Sequence, residues 1–209
     1  GLRTSPLPNV RLDFQGHIGL DLRCNDLSHP DIQVRHLTLD HAGTAGIFGP
    51  GTRGLTIDGV KVSDNQGDGV ALVFWPTGPI NPRRIQVRNS VFVRNTGYGI
   101  RIEATTGGDD PADHEVTIVN NLVGLDSLTD GAANGNSLGG IRVVNSRRVK
   151  VGGTISNQGN VISGNGNHGI DIAASSGANT IRANRIGTTA DGSAIRGNVL
   201  MLGLVSMLT

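Results

Sequence analysis

The sequence predicts an all-β solenoid, a single-stranded parallel β-helix of about seven coils built from three short strands each. Three observations lead there: a block that recurs about once per coil, apolar residues that alternate with polar ones, and an unusual composition. With 32 glycines in 209 residues and only 3% aromatics, the chain lacks the large side chains of a conventional globular core.

The recurrence is visible in the bare sequence. LTIDGVKVSDNQGDGVAL (Leu55 to Leu72) aligns with IQVRNSVFVRNTGYGIRI (Ile85 to Ile102), which puts Ile57 over Val87, Val62 over Val93, Asn65 over Asn95 and Gly69 over Gly99. VKVGGTISNQGNVISGNGNHGIDI (Val149 to Ile172) repeats the theme with a small insertion, aligning Val151, Ile162, Asn165, Gly169 and Ile170. A longer unit is superimposed, because TIVNNLVG (Thr117 to Gly124) matches TIRANRIG (Thr180 to Gly187), and a Gly-Asn pair follows each, at Gly135-Asn136 and Gly197-Asn198.

Each strand follows from the alternation within a coil. Ile85 and Val87, then Val91 and Val93, then Ile100 and Ile102 mark three half-buried strands. No sustained 3.6-residue apolar stripe with caps is present, which disfavours helices. Stacked coils then line up inward columns: Ile57, Val87, Ile118, Val151 and Ile181 in one strand, Val70, Ile100, Ile141 and Ile170 in another. Asn65, Asn95 and Asn165 recur at a tight corner, where Asn tolerates positive φ and its amide can bond to the Asn of the next coil. Gly69, Gly99, Gly140 and Gly169 are expected to supply backbone freedom at turns.

Composition narrows the function. Eighteen basic against seventeen acidic residues leave a net charge of +1, too small a field to imply nucleic acid or an anionic membrane as partner. The lone Cys24 makes no internal disulfide and no CxxC site. No apolar run is long enough to span a bilayer. The opening GLRTSPLPNVR has no signal-peptide layout, so residues 1–209 read as one domain cut from a longer chain, with neighbouring coils as partners. Residues 199–209 depart from the repeat and are expected to be an atypical last coil, a cap or an interface, with Gly203-Leu204 imitating the start of a Gly-Ile strand.

The chain resembles the right-handed parallel β-helix superfamily typified by pectate lyases, and more closely the repeat regions of bacterial secreted or surface proteins. GNVISGNGNHGIDI (Gly159 to Ile172) and NTIRANRIGTTADG (Asn179 to Gly192) carry the likeness, which covers roughly residues 32–198. The resemblance implies an extracellular or cell-surface setting and a polysaccharide or surface glycan as partner.

Two insertions fall at one corner of successive coils: FWPTGPINPRR (Phe74 to Arg84), with the only Trp, and ATTGGDDPADHEV (Ala104 to Val116), the densest acidic cluster. Arg101 and Glu103 point outward between Ile100 and Ile102, and Arg142 continues that column. Trp75, Arg101, Glu103 and Arg142 are therefore candidate glycan-binding residues, the Trp for a sugar face and the guanidinia for a carboxylate. Asp110, His114 and Arg101 are the candidate catalytic groups, and Asp109, Asp110 and Asp113 the candidate calcium ligands, although no established metal-loop spacing is met. No other cofactor is expected.

Motif tests weigh against an enzyme. Gly108-Asp109-Asp110 and Asn167-His168-Gly169 match only part of the polygalacturonase set, and DPADHE (Asp110 to Glu115) resembles the Asp-Pro-His of mannuronan epimerases with two residues intruding. Asp40-His41 resembles an Asp-His pair of pectate lyases but reads as a turn, and His168 as a solvated corner residue. Arg83, Arg84 and Arg88 with Arg147, Arg148 and Lys150 form a basic outer edge that discourages sheet association. The expected function is a structural or glycan-binding surface platform. The alternative is a lyase, C5-epimerase or glycoside hydrolase acting on an acidic glycan.

Overall fold

The computed structural model describes residues 10–22, 31–49, 54–74, 83–105, 114–127, 134–173 and 177–204, with the backbone alone for 83, 114 and 200–204. Among these there are twenty short strands and no helix, hence none long and apolar enough to cross a membrane. The chain visits three sheets in turn. Sheet A stacks β1 (Val10–Asp13), β4 (Leu37–Asp40), β7 (Lys61–Ser63), β10 (Val91–Val93), β13 (Leu122–Val123), β16 (Val161–Ile162) and β19 (Arg185–Ile186). Sheet B stacks β2 (Leu20–Asp21), β5 (Ile47–Phe48), β8 (Val70–Phe74), β11 (Tyr98–Ala104), β14 (Gly139–Val144), β17 (His168–Ala173) and β20 (Leu200–Leu204). Sheet C stacks β3 (Ile32–Arg35), β6 (Gly54–Asp58), β9 (Arg83–Arg88), β12 (His114–Val119), β15 (Val149–Gly152) and β18 (Thr180–Arg182).

Every strand in these sheets pairs in parallel with the equivalent strand of the next coil, so ladder bonds between coils satisfy the backbone and successive coils lie about 4.8 Å apart. The predicted columns hold: Ile57, Val87, Ile118, Val151 and Ile181 are in register in sheet C, and Val70, Ile100, Ile141 and Ile170 in sheet B. Burying a side chain such as Ile100, at 0% exposure, contributes about 2 kcal/mol. Size is matched along the columns, since the large Phe74 lies beside the small Ala104.

One alignment is off by a residue. Val62 pairs with Phe92, and Val93 with Ser63, so sheet A presents Leu39, Val62, Phe92, Val123 and Ile162 to the core, rather than Val91 and Val93. Val93 is also buried, but one position further on, where the chain starts to turn.

The corner between sheets A and B is turned by the residue before the ladder Asn, not by the Asn itself. Asp64, Arg94 and Gly164 have φ of 60°, 54° and 71°, while Asn65, Asn95 and Asn165 keep ordinary φ and serve through their amides. Asn65 Nδ2 donates to Asn95 Oδ1 (2.8 Å), Asn95 Nδ2 to Asn136 Oδ1 (2.8 Å), Asn136 Nδ2 to Asn165 Oδ1 (2.9 Å) and Asn165 Nδ2 to Asn198 Oδ1 (2.9 Å). Asn136 and Asn198, the Asn residues of the two Gly-Asn pairs, thus complete the ladder. A second ladder at the corner between sheets C and A was not expected: Ser90, Asn121, Asn160 and Asn184, with Asn121 Nδ2 and Asn160 Nδ2 each donating to the next Oδ1 at 2.9 and 2.8 Å. Its sequence signal is an Asn directly before a short sheet A strand.

Outside the first ladder, Arg94 donates Nε to Asp64 Oδ1 (2.7 Å) and Nη2 to Oδ2 (2.9 Å), and these bonds hold the Asp64 carboxyl below the usual carboxylate range. The stabilisation is complete above the unfolded carboxyl's pKa, about 4, and is lost as the pH falls toward the lower folded value. Asp64→Asn keeps a residue that tolerates positive φ but removes this increment. Its deficit in urea midpoint relative to wild type should therefore shrink on going from about pH 6 to about pH 3; a deficit independent of pH would refute the assignment.

Gly69, Gly99 and Gly140 also act differently from expectation. None has positive φ; a Cβ on any of them would fall within 2.4–3.0 Å of the next coil's backbone oxygen. Close stacking, rather than backbone freedom, demands glycine there, and Gly169 supplies the oxygen that Gly140 faces. At the C-terminal end, β20 pairs with β17 as a further sheet B strand, with Leu202 beside Ile170. Gly203 lies beside Asp171, so Gly203-Leu204 does not take the place of Gly169-Ile170. Residues 205–209 lie outside the described residues.

Candidate binding face on sheet B

Alternation along GIRIE buries Ile100 and Ile102 and turns Arg101 and Glu103 outward, as expected. Register then puts Ala71, Arg101, Arg142 and Asp171 side by side on four successive coils, with Val73, Glu103, Val144 and Ala173 in the neighbouring column.

Both guanidinia are held by carboxylates. Arg101 donates Nε to Asp68 Oδ2 (2.6 Å) and Nη1 to Glu103 Oε2. Arg142 donates Nη1 to Asp171 Oδ2 (3.0 Å) and to the Tyr98 hydroxyl (2.6 Å), and its Cζ lies 5.3 Å from the centroid of that ring. Asp68 is buried and also accepts the Tyr98 backbone N–H (2.8 Å), which ties the corner of one coil to the next. Burial alone would lower the pKa of Arg101, but hydrogen bonding and charge from Asp68, then Glu103, outweigh it and hold the value above its ordinary level. At 27% and 33% side-chain exposure, the two guanidinia are reachable from solvent.

The structure thus brings Arg101, Glu103 and Arg142 together and adds three residues that were not foreseen: Asp68, Tyr98 and Asp171. Asp171 could have been found from the alignment, because it occupies in GIDI the place that arginine takes in both GIRI and GIRV. Trp75, Asp109, Asp110 and Asp113 lie outside the described residues, as do most of the two insertions. Both insertions do connect sheet B to sheet C, from β8 to β9 and from β11 to β12, which is the shared corner expected. His114 opens β12 in register with Arg83, and only its backbone is described.

The other expectations resolve more simply. His168 opens β17 beside Gly139, and Asp40 ends β4 with His41 at φ 57° in the turn that follows. The basic edge on sheet C is interleaved with acids. Arg88 Nη2 lies 3.1 Å from Asp58, and Lys150 pairs with Glu115, whose carboxyl this bond holds below the usual range. That face is therefore closer to neutral than the arginine and lysine positions alone suggest.

The family described as right handed beta helix region matches residues 9–156. No curated protein and no solved structure matches the chain.

Proposed function

We propose, from the premise that the chain belongs to the right-handed β-helix family, that it is an extracellular or cell-surface scaffold segment whose outer sheet B face binds an acidic polysaccharide. The observation that carries this reading is the in-register pair Arg101 and Arg142 beside the Tyr98 ring. Adjacent coils lie about 4.8 Å apart, a repeat comparable to one sugar ring, so a glycan running along the solenoid axis meets one coil per residue. Each guanidinium has five N–H donors, and the carboxylates that hold it fix its orientation before binding. Tyr98 offers an apolar face for a sugar ring together with a hydroxyl.

Binding is tested with oligogalacturonate as the acidic probe and a neutral gluco-oligosaccharide as control, by calorimetry or a glycan array. The acidic probe should bind, and Arg142→Ala should weaken it at least about tenfold, with Arg142→Lys only partly restoring it because an ammonium cannot bind a carboxylate in fork geometry. Affinity unchanged in Arg142→Ala, or no binding of any acidic glycan, would overturn the binding role and leave a structural one. Absorbance from unsaturated uronides during the same incubation would instead establish a lyase.

A further inference from the structure

We propose that Asp13, Asp40 and His41 form a site for a divalent transition-metal ion of the zinc type, at the corner between sheets A and B. Asp13 ends β1 and Asp40 ends β4 in register directly beside it, so stacking alone puts two carboxylates on adjacent coils. His41 follows with a left-handed φ of 57°, which brings its ring back over both.

One donor atom from each of the three residues lies within 4.8 Å of the others. His41 Nδ1 is 3.4 Å from Asp40 Oδ1 and 3.5 Å from Asp13 Oδ1. A tetrahedral ion with bonds of about 2.0–2.1 Å separates its ligand atoms by about 3.3 Å, so His41 Nδ1 already stands near coordination spacing from both carboxylates. An imidazole among them favours zinc-like ions over calcium or magnesium, which take oxygen ligands. Three protein ligands leave a fourth position open to water or an external group.

A second observation is independent of the clustering. The Asp40 side chain is only 7% exposed, and its Oδ1 has no hydrogen-bond partner among the described residues. A buried carboxylate oxygen without a donor is costly, and this one faces the His41 nitrogen. Arg11 supplies only part of the compensation. Its Nε donates to the other oxygen, Asp40 Oδ2 (2.7 Å), and its Nη2 stands 3.4 Å from both Asp13 Oδ2 and His41 Nδ1. One guanidinium against two carboxylates leaves a net negative charge. Arg11 is 55% exposed, so its head can leave for solvent when an ion enters.

Arg11 is therefore a competitor for the site, and this separates a metal site from a plain ion-pair cluster. Zinc chloride is titrated by calorimetry into the untagged chain and into Arg11→Ala, Asp13→Asn and His41→Asn, the last chosen because asparagine also tolerates left-handed φ. Unchanged circular dichroism and melting without zinc verify that each variant is folded. Wild type should bind one zinc and melt at a higher temperature with it. Asp13→Asn and His41→Asn should each lose at least about tenfold in affinity, whereas Arg11→Ala should gain. Absence of zinc binding in both wild type and Arg11→Ala, undiminished binding in His41→Asn, or tighter binding of calcium than zinc would each overturn the assignment.

Discussion

Replacing Asn95 with alanine is expected to destabilise the protein by about 3–5 kcal/mol. Asn95 is fully buried, and its side chain serves three coils at once. Its Oδ1 accepts the backbone N–H of Asn65 (3.3 Å) and Asn65 Nδ2 (2.8 Å), while its Nδ2 donates to Val62 O (3.2 Å) and to Asn136 Oδ1 (2.8 Å). Truncation leaves two donors of Asn65 and the Val62 carbonyl without this partner in a dry interior, at about 1–3 kcal/mol for each unsatisfied group. Asn136 Oδ1 loses less, because it keeps the Asn95 backbone N–H at 3.2 Å. A water molecule occupying the vacated amide volume would move the loss to the lower end of the range. Urea denaturation followed by far-ultraviolet circular dichroism measures the effect, and amide exchange should localise it to the coils that carry Asn65 and Asn136. A loss below about 1 kcal/mol would mean that the ladder merely fills space.

The ladder also shows how far the sequence could be read. Coil number and the columns of sheets B and C were legible because alternation is strict in stretches such as GIRIE, and a one-residue slip would turn their charges inward. Sheet A strands are shorter, and in β10 two consecutive residues, Phe92 and Val93, are buried, so alternation alone could not choose between them. The second ladder was hidden by the substitution of Ser90 for its first amide and by the insertion that delays Asn160 relative to β15. At the candidate face, Arg101, Glu103 and Arg142 follow from strand parity, a local property. Asp68 does not, because it meets Arg101 from 33 residues away and belongs to the preceding corner. The Asp13, Asp40 and His41 cluster is harder still. It depends on register between the first two coils, where the repeat is most degenerate.

The second large effect is expected from Gly140→Ala, at about 3 kcal/mol. Gly140 has no positive φ, so the cost is one of space alone. An added Cβ would lie 2.4 Å from the carbonyl oxygen of Gly169, 2.6 Å from Ile162 Cγ2 and 3.1 Å from Asn165 Nδ2. The first of these belongs to the backbone of β17 and the second to a fully buried side chain, so neither can rotate away. Relief requires β14 and β17 to separate locally, which stretches the ladder between them and draws the Asn165 amide out of line with Asn136. Gly197→Ala is the matched control: a Cβ there meets nothing within 4 Å and φ is ordinary, so its thermal midpoint should be unchanged or slightly raised. Equal losses for the two variants would show that glycine matters through chain flexibility. The same crowding recurs at Gly46, Gly69 and Gly99, where each Cβ position lies 2.8–3.0 Å from a ladder Asn Nδ2. A glycine four residues after a ladder Asn is thus the space that the Asn of the following coil requires, and the two residue types recur together because each coil stacks on the next.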